Sequence, residues 1–432
     1  MRGVLAFALL QAFVILRVES FAATPTPSSS TTSTPRGLSY EAIAGLARKR
    51  YRNGRDAPIE ENEYVPMKGR VVVITGAAGG IGGQLSRTVH RLGGTVVALD
   101  CNTIGLEKLQ KTLVEEYSDE TTATTTTDDC DDDARNHACE RIVTIPTNQQ
   151  DLSSVASAAE TIQSRFGRID ILVNNAGMSY RKDPMVSAHG NDFAFTVNYL
   201  SHFLLTEKLL PNLSKDGRIV HITSTFHWKV DGSELLPDDE TGMPIAYQSD
   251  PEKQSPEHVG RSYANTKLAQ LWHSRSIVAN YAPTGGGRRV SSVCACPLWA
   301  ATGIAGDEAK EFLDRYAFSV SDCGPGVTSA INAMLREDEE LGDALNDGKS
   351  FVANSRILDF LTVRHLLASD FVTNTLGWRD SLADFLAVVL LLGQKYKHED
   401  FILQQTSPES FNDKQRRDRF YRWSKEEVKQ WL

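Results

Sequence analysis

Residues 71–82 read Val-Val-Val-Ile-Thr-Gly-Ala-Ala-Gly-Gly-Ile-Gly, and this stretch decides the fold. An apolar run typical of a buried strand is followed at once by Gly76, Gly80 and Gly82, and then by a helical pattern. A strand, a tight glycine turn and a helix N-terminus form a cradle for a pyrophosphate, because free backbone N–H groups and the helix dipole face the anion. The stretch therefore predicts a dinucleotide-binding α/β domain.

The alternation of strands and helices continues along the chain. Further strands are predicted at 95–100, 141–145, 169–173, 218–223 and 289–295. Helices are predicted near 81–92, 104–117, 152–166 and 191–210, around Tyr263, and after Pro325. Such alternation indicates a parallel sheet covered by helices on both faces. We expect a Rossmann-type, doubly wound parallel sheet in a single α/β domain with insertions.

A second motif, Tyr263-Ala-Asn-Thr-Lys267, carries chemistry. Tyrosine and lysine four positions apart lie on one helical face, where an ammonium favours the phenolate and lowers the tyrosine pKa from its reference of about 10. The motif alone is weak, because it occurs by chance on many solvated helices. Its specificity comes from the order of Asn174-Asn175-Ala176-Gly177 after a strand, Asn198 in a helical stretch and Ser224 at a strand end.

Together these motifs resemble the short-chain dehydrogenase/reductase family, from about residue 68 to 323 and weakly again at the C-terminus. Residues 195–206, FTVNYLSHFLLT, are similar to the retinol-dehydrogenase-like branch of that family. The resemblance implies an NAD(H)-dependent oxidoreductase that interconverts an alcohol and a carbonyl on a fairly apolar small molecule, such as a retinoid, a steroid or a lipid. Hydride would move to or from nicotinamide C4.

The resemblance assigns roles to four residues. Tyr263 is the general acid for reduction and the base for oxidation. Lys267 lowers the pKa of Tyr263 and binds the nicotinamide ribose, and Ser224 polarises the substrate oxygen. Asn198 supports a water link to Lys267; taken alone, it would equally be a buried asparagine that bonds to backbone.

The resemblance also implies several cofactor contacts. Ile81 is expected to pack beneath the cofactor. Asn175, Ala176 and Gly177 would line the adenosine side. Asn148 stands where the family usually has an aspartate that touches the adenine amino group.

Asp100 bears on the choice of dinucleotide. A carboxylate at the end of the second strand accepts hydrogen bonds from ribose hydroxyls and repels a 2′-phosphate, so NAD(H) is favoured over NADP(H). The alternative is an ordinary strand-end or capping aspartate. Pro297 to Thr302 resembles the loop that contacts the nicotinamide amide, with Thr302 as a hydroxyl donor. Leu298 replaces the usual glycine of that loop, which puts its turn in doubt because leucine cannot adopt positive φ cheaply.

The charge distribution and the cysteine spacing argue against a nucleic-acid-binding protein and against a zinc protein. The formal net charge is −9, and nine acidic residues lie between Glu115 and Asp133 without a basic one, so the rest of the chain is nearly neutral. The sequence contains no basic patch of the kind that would indicate a nucleic-acid partner. Cys130, His137 and Cys139 match no zinc module, so no metal site is predicted. Cys294 and Cys296 are expected to be buried on one strand face.

Residues 1–36 are expected to be a targeting leader. Its apolar run is typical of a signal peptide, and its Ser/Thr/Pro-rich, acid-free second half resembles a transit peptide. Two locations stay open, the endoplasmic reticulum of the endomembrane system and the plastid of an alga with complex plastids; neither is cytosolic. Residues 37–67 form a partly helical lead-in, and residues 68–432 form the catalytic domain.

Three insertions interrupt this domain, at 118–138, 226–260 and 356–404. The first is of low complexity and is expected to be disordered, and the second should form a loop near the catalytic mouth. The third contains an apolar run that begins at Phe385 and ends at Leu392, too short to span a bilayer. A buried helix is favoured there, while membrane association, through this run or the leader, and a homo-oligomer contact stay open. Residues 414–432 should form a final amphipathic helix.

Two other functions compete with this hypothesis. One is a catalytically silent NAD-binding sensor or scaffold, against which the intact set of four residues argues. The other is an NADP(H)-dependent plastid reductase acting on a pigment or a fatty-acyl intermediate. Substrate identity is set by pocket loops, so the sequence does not choose it.

Overall fold

The computed structural model of the chain describes residues 38–52, 65–122, 139–178, 185–248, 256–281, 290–297, 326–342, 350–353, 402–407 and 412–432, and the single residues 300, 302, 320, 324 and 410. All of these fall in one compact unit, Pro35–Leu432. The leader, most of the first and third insertions, and the apolar run that begins at Phe385 lie outside the described residues.

One sheet of eight strands runs through the described part of the chain. The strands are β1 (Val71–Thr75), β2 (Thr95–Asp100), β3 (Ile142–Pro146), β4 (Ile169–Asn174), β5 (Leu213–Ile222), β6 (Ser291–Cys296), β7 (Ser350–Ala353) and β8 (Ile402–Gln405). Their order in space is β3-β2-β1-β4-β5-β6-β7-β8, and all neighbours are parallel except β7 and β8. The order reverses between β1 and β4, which is the doubly wound topology. The predicted Rossmann-type fold is confirmed.

Helices cover both faces of the sheet. They are α1 (Tyr40–Arg52), α2 (Gly80–Arg91), α3 (Thr103–Thr122), α4 (Leu152–Arg165), α5 (Ser201–Leu209), α6 (Pro256–Asn280), α7 (Thr328–Leu335), α8 (Asp338–Leu341) and α9 (Lys414–Glu427). Side chains of a strand alternate between faces. Val72 and Ile74 of β1 accordingly join the core with α1, α2, α3 and α7, whereas Val73 joins the core with α4, α5, α6 and α9.

The helix predicted over 191–210 is not continuous. A short α-turn, Phe193–Phe195, is followed by a π-turn, Thr196–Leu200, and only then by α5. The Asp192 carboxylate caps the first turn by accepting the backbone N–H of Phe195 at 2.7 Å. The π-turn centres on Asn198, so the interruption falls at a residue of the candidate site.

Two insertions differ from expectation where they are described. Helix α3 continues to Thr122, four residues past the start of the segment predicted to be disordered, because extending an existing helix adds one backbone bond per residue. The predicted loop 226–260 contains three short 3₁₀ turns, Thr225–Lys229, Ser233–Leu235 and Ile245–Tyr247, and α6 begins within it at Pro256.

Strands β7 and β8 were not predicted from the sequence. Each has four residues at one edge of the sheet, which is too short for a clear alternation of apolar residues. The antiparallel β8 contains the last residues of the third insertion, so that segment ends inside the sheet. The predicted parallel arrangement is therefore wrong for the edge strand β8, which pairs antiparallel with β7.

The final helix is confirmed as α9. Its Phe420 ring stacks on Tyr199 with the ring centroids 5.0 Å apart, and the Tyr199 hydroxyl bonds to Ser424 Oγ at 2.8 Å. Aromatic pairs of this kind contribute about 0.5–1.5 kcal/mol beyond their buried area. Among the helices that the structure describes, none has the length and apolar character needed to cross a membrane.

Candidate active site

The ends of four neighbouring strands bring together the residues that the sequence analysis selected. Gly76 follows β1, Asp100 ends β2, Asn175 follows β4, and Ser224 lies two positions after β5. Because these strands are parallel, their carboxyl ends share one edge of the sheet, at the point where the strand order reverses. Open α/β sheets bind their ligands at this point.

The glycine loop approaches the end of β4 too closely for side chains. A Cβ on Gly82 would lie 2.2 Å from the Gly76 carbonyl oxygen, and a Cβ on Gly76 would lie 2.9 Å from Cα of Ala176. Gly76 also has φ of +65°, a conformation that favours glycine. Helix α2 starts beside this loop, and no side chain caps its N-terminus at Gly79. Backbone N–H groups of its first turn can therefore serve an anion, and the cradle fits a pyrophosphate.

Asp100 ties the end of β2 to the glycine loop. Its Oδ2 accepts the backbone N–H of Ala78 at 3.0 Å, and its Oδ1 accepts that of Asn102 at 2.9 Å. The capping role considered from the sequence is thus present. A carboxylate offers about four acceptor sites, so two backbone bonds leave it able to accept ribose hydroxyls as well.

The remaining predicted cofactor residues lie around the same edge. Asn148 follows β3 beside Asp100, and its Oδ1 accepts the backbone N–H of Gln150 at 3.3 Å. Ile81 is buried in the core next to the glycine loop. Thr302 lies over the loop, with its Cγ2 3.2 Å from where a Cβ on Gly80 would be. Pro297 directly follows β6, while Leu298 lies outside the described residues.

Thr75 connects the glycine loop to the Asn175-Ala176 segment. Its Oγ1 accepts the backbone N–H groups of Asn175 and Ala176, each at 2.9 Å. The same oxygen lies 2.9 Å from Nε2 of the buried His202. Asn175 Nδ2 returns a bond to the Thr75 carbonyl oxygen at 2.8 Å. Neither Thr75 nor His202 was selected from the sequence, although His202 follows Asn198 by one helical turn.

Ser224 and Tyr263 meet at the mouth of the site. Ser224 acts on the ionisation of the Tyr263 hydroxyl, and the Tyr263 ring packs edge-on against Phe226 with the ring centroids 5.6 Å apart. Burial raises the pKa of Tyr263, the neighbouring Cys296 raises it further, and Ser224 acts in the opposite direction. Tyr263 therefore holds its proton at neutral pH.

Lys267 is buried against the end of β5. Its Nζ donates to the Ile222 carbonyl oxygen at 2.9 Å and to Gln270 Oε1 at 3.3 Å, and it lies 5.3 Å from the centroid of the Tyr263 ring. Burial lowers the pKa of Lys267 to about 8. The predicted lowering of the Tyr263 pKa by Lys267 is wrong for this arrangement. The ammonium points at two carbonyl oxygens, and burial penalises the phenolate.

The Asn198 side chain bonds to the segment after β4 and to α6. Its Oδ1 accepts the backbone N–H of Met178 at 2.8 Å, and its Nδ2 donates to the Met178 carbonyl oxygen at 2.9 Å and to Thr266 Oγ1 at 3.2 Å. A Cβ on Gly177 would lie 3.3 Å from Asn198 Oδ1, so the adenosine-side segment and the catalytic set are adjacent. Backbone bonding, the alternative considered for Asn198 taken alone, is present, while its support of a water link to Lys267 stays a prediction.

His227, three positions after Ser224, bonds to two backbone groups that are remote from each other in sequence. It is fully buried, its Nδ1 lies 2.6 Å from the Ser224 carbonyl oxygen, and its Nε2 accepts the backbone N–H of Ser407 at 3.2 Å. Burial lowers the pKa of His227 to about 4. The imidazole thus connects the turn that carries Ser224 to the segment after β8.

Metal chemistry has no visible site in the described part of the chain. No three or more His, Cys, Asp or Glu side chains converge there as metal ligands. Cys294 and Cys296 are buried on β6, as predicted, while Cys139 is exposed. Cys130 and His137 lie outside the described residues.

The topology and these residues define a nucleotide-binding α/β protein, and comparison with known proteins shows the family that it is similar to. The profile of the family described as short chain dehydrogenase matches residues 70–143 and 128–230. A "Dehydrogenase/reductase SDR family protein 7-like" of Anopheles gambiae is 32% identical over 38% of this chain and 48% of its own length. The "Oxidoreductase UcpA" of Escherichia coli K12 is 29% identical over 57% of this chain and 74% of its own length.

One solved structure, a short chain dehydrogenase of Shigella flexneri complexed with NADP, aligns with 63% of this chain and 93% of its own at 17% identity and a TM-score of 0.41. The match to the Anopheles relative spans about half of that protein, 48%. The match to the short chain dehydrogenase family thus covers residues 70–230 of this chain.

Proposed function

We propose that this protein is an NAD(H)-dependent oxidoreductase that interconverts an alcohol and a carbonyl group on a fairly apolar small molecule. The observation that carries the proposal is that Lys267 lies with its ammonium 5.3 Å from the centroid of the Tyr263 ring, while Ser224 lies close enough to act on the ionisation of the Tyr263 hydroxyl. Similarity to the short chain dehydrogenase family over residues 70–230 supports the oxidoreductase class.

The residues of the sheet edge fit a dinucleotide. Gly76 and Gly82 would hold the pyrophosphate, Asp100 the adenosine ribose, and Asn175 with Ala176 the adenosine side. The bound dinucleotide would supply the hydride donor or acceptor at nicotinamide C4. Lys267 would donate to the nicotinamide ribose with the part of its ammonium not engaged by Ile222 and Gln270.

The chain's own residues would handle the proton and the substrate oxygen. In reduction, the Ser224 hydroxyl donates a hydrogen bond to the carbonyl oxygen, and Tyr263 gives its proton to the same oxygen. The raised pKa of Tyr263 keeps this proton in place at neutral pH. In oxidation, Tyr263 must first lose its own proton, and its phenolate then takes the proton of the alcohol as the hydride leaves.

An apolar substrate is supported by the aromatic surroundings of Tyr263. The Phe226 ring lies against it, and Lys229 Nζ covers that ring at 4.3 Å from its centroid. The experiment is a screen of NAD(H) oxidation and reduction with retinoids, steroids and fatty aldehydes, using protein that lacks residues 1–36. Tyr263→Phe is the matched control, because it keeps the packing of the ring. Absence of Tyr263-dependent turnover with every class, despite dinucleotide binding, would favour a silent sensor or scaffold.

We also propose that residues 1–36 direct the protein to the endoplasmic reticulum or to the plastid of an alga with complex plastids. The apolar run followed by a Ser/Thr/Pro-rich stretch supports this. A fluorescent protein fused after residue 67 would be imaged beside markers of both compartments. Diffuse cytosolic fluorescence would contradict the proposal.

A further inference from the structure

Two side chains bond to the backbone carbonyl of Asn198. His202 Nδ1 lies 3.0 Å from its oxygen, and Gln270 Nε2 donates to the same oxygen at 2.9 Å. A carbonyl oxygen has two lone pairs, so two donors fill it. The water link to Lys267 expected from the sequence therefore finds no free acceptor at this carbonyl.

The orientation of the Gln270 side chain follows from its neighbours. The Asn198 carbonyl can only accept, so the NH₂ end of the carboxamide must face it. The Lys267 ammonium can only donate, so the oxygen end must face Nζ, at 3.3 Å. Gln270 follows Lys267 by three positions on α6, which places both side chains on one helical face.

The same logic orients the rest of the chain of contacts. His202 must donate through Nδ1 to the Asn198 carbonyl, which leaves Nε2 to accept the Thr75 hydroxyl proton at 2.9 Å. This assignment requires a neutral imidazole, and burial lowers the pKa of His202 to about 4. A continuous buried network thus runs from Thr75, beside the glycine loop, through His202, Asn198 and Gln270 to Lys267.

We infer that the Gln270 carboxamide, in place of a water molecule, links Lys267 to the Asn198 carbonyl and holds the ammonium beside Tyr263. The role of this link in catalysis rests on the proposed function, in which Gln270 positions Lys267 and does not itself contact the substrate. Without the Gln270 oxygen the buried ammonium loses one of its two carbonyl acceptors. Without the Gln270 NH₂ group the carboxamide loses its anchor on the π-turn.

The test measures the Lys267 pKa directly in the full chain. Protein carrying lysine labelled with ¹³C at Cε is titrated by NMR, and Lys267→Arg assigns the resonance. Gln270→Met removes both polar ends at similar volume and should lower the Lys267 pKa by about one to two pH units, as expected for a lost hydrogen bond to a charged group. Gln270→Glu keeps an acceptor and adds a negative charge, so it should raise this pKa.

Other ionisable groups around Lys267 remain in both variants. They are Tyr263 on α6, His202 on α5, His221 on β5, and Cys294 and Cys296 on β6. Ser276→Ala is the matched control, since it removes another buried polar side chain of α6, one that bonds to the Trp272 carbonyl oxygen at 2.9 Å. It should leave the Lys267 pKa unchanged.

A second measurement needs no substitution at Gln270. In the wild-type protein, the Nε2 protons of Gln270 should exchange slowly with solvent, because one of them is held by a buried carbonyl. An unchanged Lys267 pKa in Gln270→Met, or rapid exchange of these protons, would overturn the inference. Neither measurement requires a dinucleotide or a substrate. A protein with no oxidoreductase activity but the expected pKa shifts would therefore contradict the proposed function alone.

Discussion

The His227 imidazole accepts a hydrogen bond from the backbone N–H of Ser407, 180 positions further along the chain. Its other nitrogen, Nδ1, lies 2.6 Å from the Ser224 carbonyl oxygen. Because the N–H group only donates and the carbonyl only accepts, the proton of the neutral ring must reside on Nδ1. Arg275 reinforces the same connection, since it donates to the Ser410 carbonyl oxygen at 2.7 Å. The position of the turn that carries Ser224 is thus coupled to the segment that follows β8.

We predict that His227→Asn and His227→Gln distinguish the effects of the two hydrogen bonds of His227, because each variant keeps only one of them. Asparagine can replace Nδ1 and donate to the Ser224 carbonyl, whereas glutamine can replace Nε2 and accept from Ser407. Each variant leaves one buried backbone group unpaired and should lower the free energy of unfolding by about 1–3 kcal/mol. The kcat should fall more in His227→Gln, because the Ser224 turn loses its partner.

Chemical unfolding and steady-state kinetics check this prediction. His227→Ala should be the least stable of the three variants, because it loses both bonds and leaves a cavity. Equal kcat values for the asparagine and glutamine variants, at equal stability, would show that the contact does not position Ser224.

Tyr263→Phe should abolish most turnover while dinucleotide binding stays nearly intact. The ring still packs against Phe226, but no proton is available for the substrate oxygen. General acid–base catalysis contributes on the order of 10²–10⁴, so kcat should fall by that factor. Stopped-flow turnover and fluorescence titration with NADH measure the two quantities. A variant with near wild-type kcat would contradict the assigned role of Tyr263.

Much of the central fold could be predicted because its strands are buried on both faces. The limits predicted for β2 agree with the structure, and β4 extends one residue further. Continuous apolar runs with sharp boundaries are the strongest sequence signal for such strands. The edge strands β7 and β8 lack this signal, and their pairing depends on contacts between residues about fifty positions apart. A pattern within a short window cannot report such contacts.

In the candidate site, too, one part could be predicted from the sequence and another could not. Motif spacing located Ser224, Tyr263 and Lys267 at one sheet edge, but it did not reveal the direction of the Lys267 ammonium. That direction depends on the Ile222 carbonyl and on Gln270. Of these two partners, only Gln270 could have been found from the sequence, because it follows Lys267 by three positions on the same helical face. The bond between His227 and Ser407 could not be predicted either, because the two residues are remote in sequence.

Four buried histidines predict loss of stability in acid. Burial lowers the pKa of His202 and His227 to about 4, of His221 to about 3, and of His273 well below its usual value. These groups bind protons in the unfolded chain below about pH 6.5 but stay neutral in the native protein. Stability contributed by their neutral state is present above that pH and is lost as the pH falls towards 4.

Asp192 acts in the opposite direction, since burial raises its pKa to about 6. Near pH 5 the unfolded state should therefore bind about three more protons, and the free energy of unfolding should fall by roughly 4 kcal/mol per pH unit. Urea unfolding at pH 7, 6 and 5 measures this slope. A flat profile over this range would show that the histidines are not buried and neutral.

Asp192→Asn should stabilise the protein at pH 7. The carboxylate is buried, and its ionisation above pH 6 costs stability because the unfolded pKa is near 4. Asparagine keeps an oxygen for the Phe195 N–H and the Ser262 hydroxyl, so the cap is retained. We expect a gain of about 1–3 kcal/mol at pH 7 that shrinks as the pH falls to 4. A gain that is constant with pH would show that ionisation of Asp192 is not its cause.

Cofactor choice tests the role of Asp100. The two backbone bonds to Ala78 and Asn102 hold its carboxylate at the end of β2, where a ribose 2′-phosphate would meet a like charge. The wild-type protein should therefore prefer NAD(H) over NADP(H) in kcat/KM by roughly tenfold to a hundredfold, as expected from about 1.5–3 kcal/mol for a hydrogen bond to a charged group. Steady-state kinetics with one substrate and both dinucleotides measure the ratio.

Cys101 offers a way to reverse this preference without disturbing the backbone bonds of Asp100. Its side chain is exposed and its thiol is free, so substitution there costs little packing. Cys101→Arg should raise kcat/KM for NADP(H), because a guanidinium binds a phosphate with paired hydrogen bonds. Cys101→Gln, a neutral side chain, is the matched control and should leave the ratio near its wild-type value. A wild-type enzyme that favours NADP(H) would contradict the role of Asp100 and would require a cation from another part of the fold.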